Sequence, residues 1–173
     1  MQEITKCLLT RILLGVDLGK SGGLCFINEN QQISRKIPMP VIKAPKGKLE
    51  YNIQAIINVL ECHKPDFTYI EKAMIIPITG RIGVFSNGRG MGLFEGILST
   101  LKLRYDIIQP QRWQKNIFAG MPYKDTKQAS ELFCRRMYPN ENWLESDRCK
   151  NPHSGMMDAC CIAVYNFRMN NGQ

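Results

Sequence analysis

Apolar residues come in short unbroken bunches along the first part of this chain and at helical intervals along the rest. Residues 11–17 (RILLGVD) are almost wholly apolar up to a closing aspartate, the pattern of a buried strand. Gly19, Gly22 and Gly23 supply a turn, and residues 24–28 (LCFIN) return as a second strand. Residues 30–32 turn again into a third strand over 33–37. Turns this short make an antiparallel meander. Pro38, Pro40 and Pro45, with Lys43, Lys46 and Lys48 between them, then predict an exposed connector.

From residue 49 the spacing changes. Apolar positions 49, 53, 56, 57 and 60 predict a helix over 49–62, ended by Pro65. Residues 67–71 (FTYIE) read as a short buried strand, and 74–89 as a glycine-bearing loop. Positions 91, 94, 97, 98 and 101 give one apolar face to a helix over 90–103. A strand over 105–108 stops at Pro110, and helices follow over 112–118, 125–138 and 155–168, with Asp125 as an N-cap. This order predicts an α/β fold: a mixed five-stranded sheet, three antiparallel strands and then parallel ones, flanked by helices on both faces. With 173 residues, 44% of them hydrophobic, and no repeat or low-complexity tract, the chain reads as one domain with a substantial core.

Three acidic residues break the apolar runs: Asp17 in GVDLGKSGG, Glu71 in YIEKA and Asp158 in HSGMMDACCIA. An unpaired carboxylate near a core is costly, so such groups persist when paired or bound to metal. Asp17 and Glu71 close two strands, and ligands of α/β sheets bind beyond the carboxyl ends of strands. The bland alternatives are a turn-capping Asp17 and a core ion pair for Asp158. Three carboxylates from distant segments with basic residues around them suggest a Mg²⁺ site that handles phosphate. One turn before Asp158 stands Ser154, a poor metal ligand. The adjacent His153 could take its place or act on a water.

The balance of 23 Lys and Arg against 15 Asp and Glu leaves a formal charge of +8, which points to nucleic acid or an acidic membrane surface as partner. Lys115, Lys124, Lys127, Arg135 and Arg136 cluster late in the chain with Trp113 and Tyr123 interleaved, a mixture suited to phosphate contacts and base stacking. For each of these residues singly, the bland reading is a solvated basic face over buried aromatics. The seven cysteines have irregular spacing and read as reduced core thiols of an intracellular protein. Cys62, His63, Cys149 and His153 lack the paired spacing of a zinc site. No apolar run reaches the ~20 residues of a membrane span, and the N-terminus shows neither a signal-peptide core nor an Arg-rich transit pattern. The expected location is therefore cytoplasmic, in a host cell if the protein is viral, or an organelle matrix after processing.

Two glycine motifs are set aside. In GVDLGKSG the first P-loop glycine would fall at Leu14, inside the strand, so no loop cradles a nucleotide phosphate there. The run 87–92 (NGRGMG) has no preceding strand and lacks dinucleotide spacing, so no nucleotide cofactor is expected.

GVDLGKSGG, YIEKA, RGMGLFEGIL, QPQRWQK with KQASELFCRRMYP, and GMMDACCIA occur in one order from about residue 13 to 165. In this order they resemble the RuvC-type Holliday-junction resolvases, in their phage and organelle-like branch. The resemblance implies an RNase H-like fold, a homodimer, and an endonuclease using two Mg²⁺ per active site, with Mn²⁺ able to substitute. Such enzymes cut four-way DNA junctions by paired symmetric nicks. By position, Asp17 and Glu71 match the first two family carboxylates, Asp158 the last, and Lys127 a family lysine near DNA. Lys20, Lys72, Arg89, Lys115, Lys124 and Lys127 are the expected DNA contacts. Ser154 stands where the family carries a further acidic or histidine ligand. The family's aromatic wedge has no assigned counterpart: Met74 follows Glu71 by three, and Phe85 is the nearest aromatic. Two rivals remain: a non-catalytic or weakened junction-binding protein on the same fold, favoured by Ser154, and an actin-like phosphotransferase, for which the chain lacks a second domain.

Overall fold

The computed structural model describes residues 10–73 and 80–171. Its main sheet has the strand order β3-β2-β1-β6-β7. Strands β1 (Ile12–Asp17), β2 (Gly23–Asn28) and β3 (Ile33–Pro38) form the antiparallel meander. A second small sheet pairs β4 (Val41–Lys43) with β5 (Leu49–Tyr51) across a 3₁₀ turn at Pro45–Gly47. Helix α1 (Ile53–His63) leads to β6 (Phe67–Glu71), which lies parallel to β1. Helix α2 (Arg81–Thr100) leads to β7 (Tyr105–Ile108), parallel to β6. Three helices finish the chain: α3 (Pro110–Ile117), α4 (Thr126–Met137) and α5 (Ser154–Asn170).

Successive residues of a strand face opposite ways, and the core divides accordingly. Leu14, Val16, Leu24 and Phe26 pack with α1 and α2 on one face of the sheet. Leu13, Cys25 and Ile27 pack with α3, α4 and α5 on the other. The sheet is thus mixed, five-stranded and covered on both faces, as the pattern predicts.

Two predicted boundaries are corrected. The helix expected from residue 49 starts at Ile53, because Leu49–Tyr51 pairs with Val41–Lys43 and the Asn52 side chain caps the helix behind it. The apolar Leu49 and Tyr51 fit either period, and the cap decides between them. The connector before it therefore holds a hairpin arm. The loop expected over 74–89 is helical from Arg81, so the glycine run over 87–92 lies inside α2 and not before it. Residues 74–79, including Met74, lie outside the described residues. Among the described residues, no helix is long and apolar enough to cross a membrane.

Candidate active site

Helix α5 reaches the sheet through a notch. Leu13, Gly15 and Asp17 share the face of β1 turned toward α5. A Cβ on Gly15 would lie 2.2 Å from the Ala159 carbonyl oxygen and 2.4 Å from the Ala163 nitrogen. The helix therefore rests on the strand backbone to backbone, which only glycine permits. Farther along α5, the buried Asn166 amide donates to the carbonyls of Leu14 and Phe67, at 3.0 Å each. That side chain ties α5 to β1 and β6 together. At the other end, a Cβ on Gly155 would meet the Ser21 carbonyl oxygen at 2.3 Å, so the first turn of α5 sits on the β1–β2 turn.

These anchors bring three carboxylates to one place. Val16 is opposite Ile70 in the parallel register, so Asp17 and Glu71 end neighbouring strands side by side. Asp158 joins them from α5, next to the Ala159 that lies over Gly15. A pocket of about 130 Å³ is lined by Asp17, Leu18, Glu71, Lys72, Ala73 and Asn87.

The electrostatics show how closely the three are coupled. Burial holds the Asp17 carboxyl well above the usual range, and the charges of Glu71 and Asp158 push it further, while Lys127 opposes them. Burial and then Asp158 raise Glu71 to about 7, against the Trp113 indole N–H. That N–H is buried and has no partner in hydrogen-bond geometry, so it opposes only weakly. Asp158 is raised by burial, and the Ser130 hydroxyl and Lys127 counter this. Ser130 on α4 donates to Asp158 Oδ1.

The other predicted residues separate into two groups. Lys127 acts on both Asp17 and Asp158, and Lys72 lines the pocket. Lys20 lies in the turn directly after β1, and Lys124 is exposed just before α4. Arg89 is engaged with Glu50 at 2.6 Å. Lys115 borders a cavity with Arg112, Tyr165 and Met169, roughly two to three turns along α5 from Asp158. Trp113 is 1% exposed, so it is a core residue and not a stacking platform, whereas Tyr123 is 45% exposed. His153 is the N-cap of α5, its Nδ1 accepting from the Met156 amide at 3.2 Å. Ser154 borders a different cavity with Asp125, Lys127, Gln128 and Asn151. Sequence reasoning missed Asn87, Ser130 and the indole of Trp113. Ser130 lies one turn after Lys127 on the buried face of α4.

The donor set fits hard divalent cations: three carboxylates whose mutual repulsion is relieved by positive charge, with no soft ligand among them. Among the described residues, no three acidic, His or Cys side chains stand at the spacing of a finished metal shell. Mg²⁺ commonly takes only one or two protein carboxylates and completes its shell with water and phosphate.

The sheet order and the position of α5 define the RNase H-like fold in the form found in RuvC-type resolvases. The match to Thermus thermophilus RuvC in complex with a Holliday junction substrate has a TM-score of 0.62 at 13% identity, covering 94% of this chain and 96% of that one. The yeast mitochondrial Holliday junction resolvase matches with a TM-score of 0.59 at 15% identity, over 92% of this chain and 78% of its own. The fowlpox virus resolvase, solved with Holliday junction DNA, matches at 0.53 and 11% identity, over 92% and 98%. No protein-family model and no curated protein matches the sequence. At these identities the likeness is one of fold.

Proposed function

We propose that this chain is a divalent-metal-dependent endonuclease that resolves four-way DNA junctions by paired symmetric nicks. The observation that carries the reading is the meeting of Asp17, Glu71 and Asp158 at the ends of β1 and β6, with Lys127 and Lys72 beside them. Asp17, Glu71 and Asp158 would hold two Mg²⁺, or Mn²⁺ in their place. Such ions supply a more acidic water and neutralise charge on a scissile phosphate and its leaving oxygen. The protein's own part is positional. The Gly15 notch and the Asn166 clamp fix Asp158 against the strand ends. Lys127 offsets the negative cluster, and Lys72 and Asn87 line the approach to it. Lys20 and Lys124 extend the positive surface for backbone phosphates, so binding should weaken steeply with salt. Arg89 and Lys115 have a weaker claim: one is paired with Glu50, and the other is remote.

A four-way junction has two-fold symmetry, and a homodimer would match it. Helix α2 offers a face for this, an apolar groove of about 300 Å³ lined by Ile57, Gly92, Leu93, Gly96, Ile97, Thr100 and Leu101. The described cysteines are free thiols, consistent with work inside a cell, in cytoplasm or an organelle matrix.

The test is cleavage of a synthetic four-way junction with Mg²⁺ and with Mn²⁺, alongside Asp17→Asn and Ser154→Asp. Paired nicks that vanish in Asp17→Asn are expected. The second reading, a junction-binding protein without nuclease activity, is favoured by the absence of any acidic residue at 154 or 155. Tight junction binding with no nicking in either metal selects it. Neither binding nor nicking removes both.

A further inference from the structure

Helix α5 has no acidic side chain one turn before Asp158, because Ser154 and Gly155 occupy the two positions that share its face. Gly155 cannot be replaced without moving the β1–β2 turn, since a Cβ there would lie 2.3 Å from the Ser21 carbonyl oxygen. Ser154 borders a separate cavity. The group that meets Asp158 comes from α4 instead. Ser130 is 1% exposed, and besides Asp158 its hydroxyl meets the Cys161 thiol, a weak partner. It donates to Asp158 Oδ1, and among the described residues Oδ2 has no hydrogen-bond partner. Lys127 precedes it by three residues, so a cation and a neutral donor ride one face of α4 toward the carboxylates.

We propose that Ser130 is a positioning residue for the carboxylate site: its hydroxyl holds Asp158 in one orientation and leaves Oδ2 to a divalent cation. Helix α4 thereby supplies the order that a further acidic residue on α5 would otherwise share. Hydrogen bonds that orient ligating carboxylates raise metal affinity in this way. The inference rests on reading the three carboxylates as a divalent-cation site.

The experiment compares the protein as given with Ser130→Ala, Ser130→Thr and Asp158→Asn. Mn²⁺ binding is measured by calorimetry without DNA, and the Mg²⁺ dependence of junction nicking is measured beside it. Ser130→Ala should weaken Mn²⁺ binding about 10–100-fold and raise the Mg²⁺ needed for half-maximal nicking similarly. Junction binding in EDTA should stay near that of the parent, and the metal-free melting temperature should fall by a few degrees, because a buried carboxylate loses its donor. Ser130→Thr, which keeps the hydroxyl, should restore cation affinity. If its extra methyl disturbs packing, Ser130→Cys, of matched shape and poor donor strength, should behave like the alanine variant. Unchanged Mn²⁺ binding in Ser130→Ala, or full affinity in Ser130→Cys, overturns the role of Ser130 alone. No Mn²⁺ binding by the parent, with Asp158→Asn indistinguishable from it, overturns the carboxylate reading beneath.

Discussion

Helices α2 and α5 cover opposite faces of one sheet, and glycine means opposite things on them. Where α5 touches the sheet, glycines are filled from outside. Gly15, Gly23 and Gly155 each have backbone atoms where a Cβ would go, at 2.2, 2.8 and 2.3 Å respectively. On α2, Gly88, Gly92 and Gly96 have nothing within 4 Å. They recur every four residues, so they form one open stripe. Gly90, off that stripe, is the exception, with the Tyr51 hydroxyl 2.5 Å from its virtual Cβ. The missing side chains of the α5 side let the helix settle on the sheet and bring Asp158 to Asp17 and Glu71. Those of α2 leave a stripe that nothing among the described residues covers.

The comparison is broken most severely at Gly15. Gly15→Ala places a methyl inside the α5 backbone, and only movement of the whole helix can relieve it. We expect destabilisation of at least about 3 kcal/mol, beyond ordinary overpacking. Asp158 should be displaced from Asp17, and junction nicking should be lost even where the variant still folds. Denaturant unfolding with a parallel cleavage assay checks both. A variant with parental stability and activity would mean that α5 does not rest on β1 as described.

The two faces also differ in buried charge, and pH sharpens that difference. Glu71 is raised from 4.5 to about 7, and Asp17 and Asp158 move the same way. A carboxyl raised on folding binds its proton more tightly in the native state. Its contribution is therefore fully present below about pH 4.5 and lost as pH rises through about 7. For Glu71 the loss is on the order of 3 kcal/mol. Metal-free protein should melt at a lower temperature at pH 8 than at pH 5.5. Glu71→Gln should remove much of the slope, and Mg²⁺ should restore stability at pH 8. Melting that rises with pH in EDTA would contradict the burial of these carboxylates together.

What could be read along the chain follows the same division. The strand with Asp17, the strand with Glu71 and the helix with Asp158 were legible because each sets a single acidic residue against a strongly apolar run. The first nine residues of α2 were not. Gly83 and Gly88 lower helix propensity there, and Ile82 and Phe85 are 77% and 71% exposed, so no buried stripe marks the helix. Tyr51 shows what tertiary structure adds: β5 delivers it against Gly90, a contact between residues 39 positions apart. Ser130 was missed for a related reason. Its meaning depends on α4 lying beside α5, which no local pattern states.

The smallest expected effect is the most discriminating. Gly92 and Gly96 sit in helix interior with open space beside them among the described residues, so alanine meets no clash with those residues in a single chain. Each Gly→Ala change should stabilise α2 by about 0.8–1 kcal/mol through helix propensity. In a chain of this size that raises the melting temperature by roughly 2–4 °C. If the stripe seats a second copy of the chain, backbones approach there as closely as glycine allows, and the added methyls obstruct them. The proposed dimer therefore predicts two effects of opposite sign from one substitution. Thermal melting at high dilution should rise, and self-association measured by sedimentation should weaken. Nicking at low protein concentration should fall with the dimer, although the substituted residues lie on the face away from α5. An increase in melting temperature with unchanged self-association would leave α2 a free surface, and the partner would have to be sought on another face.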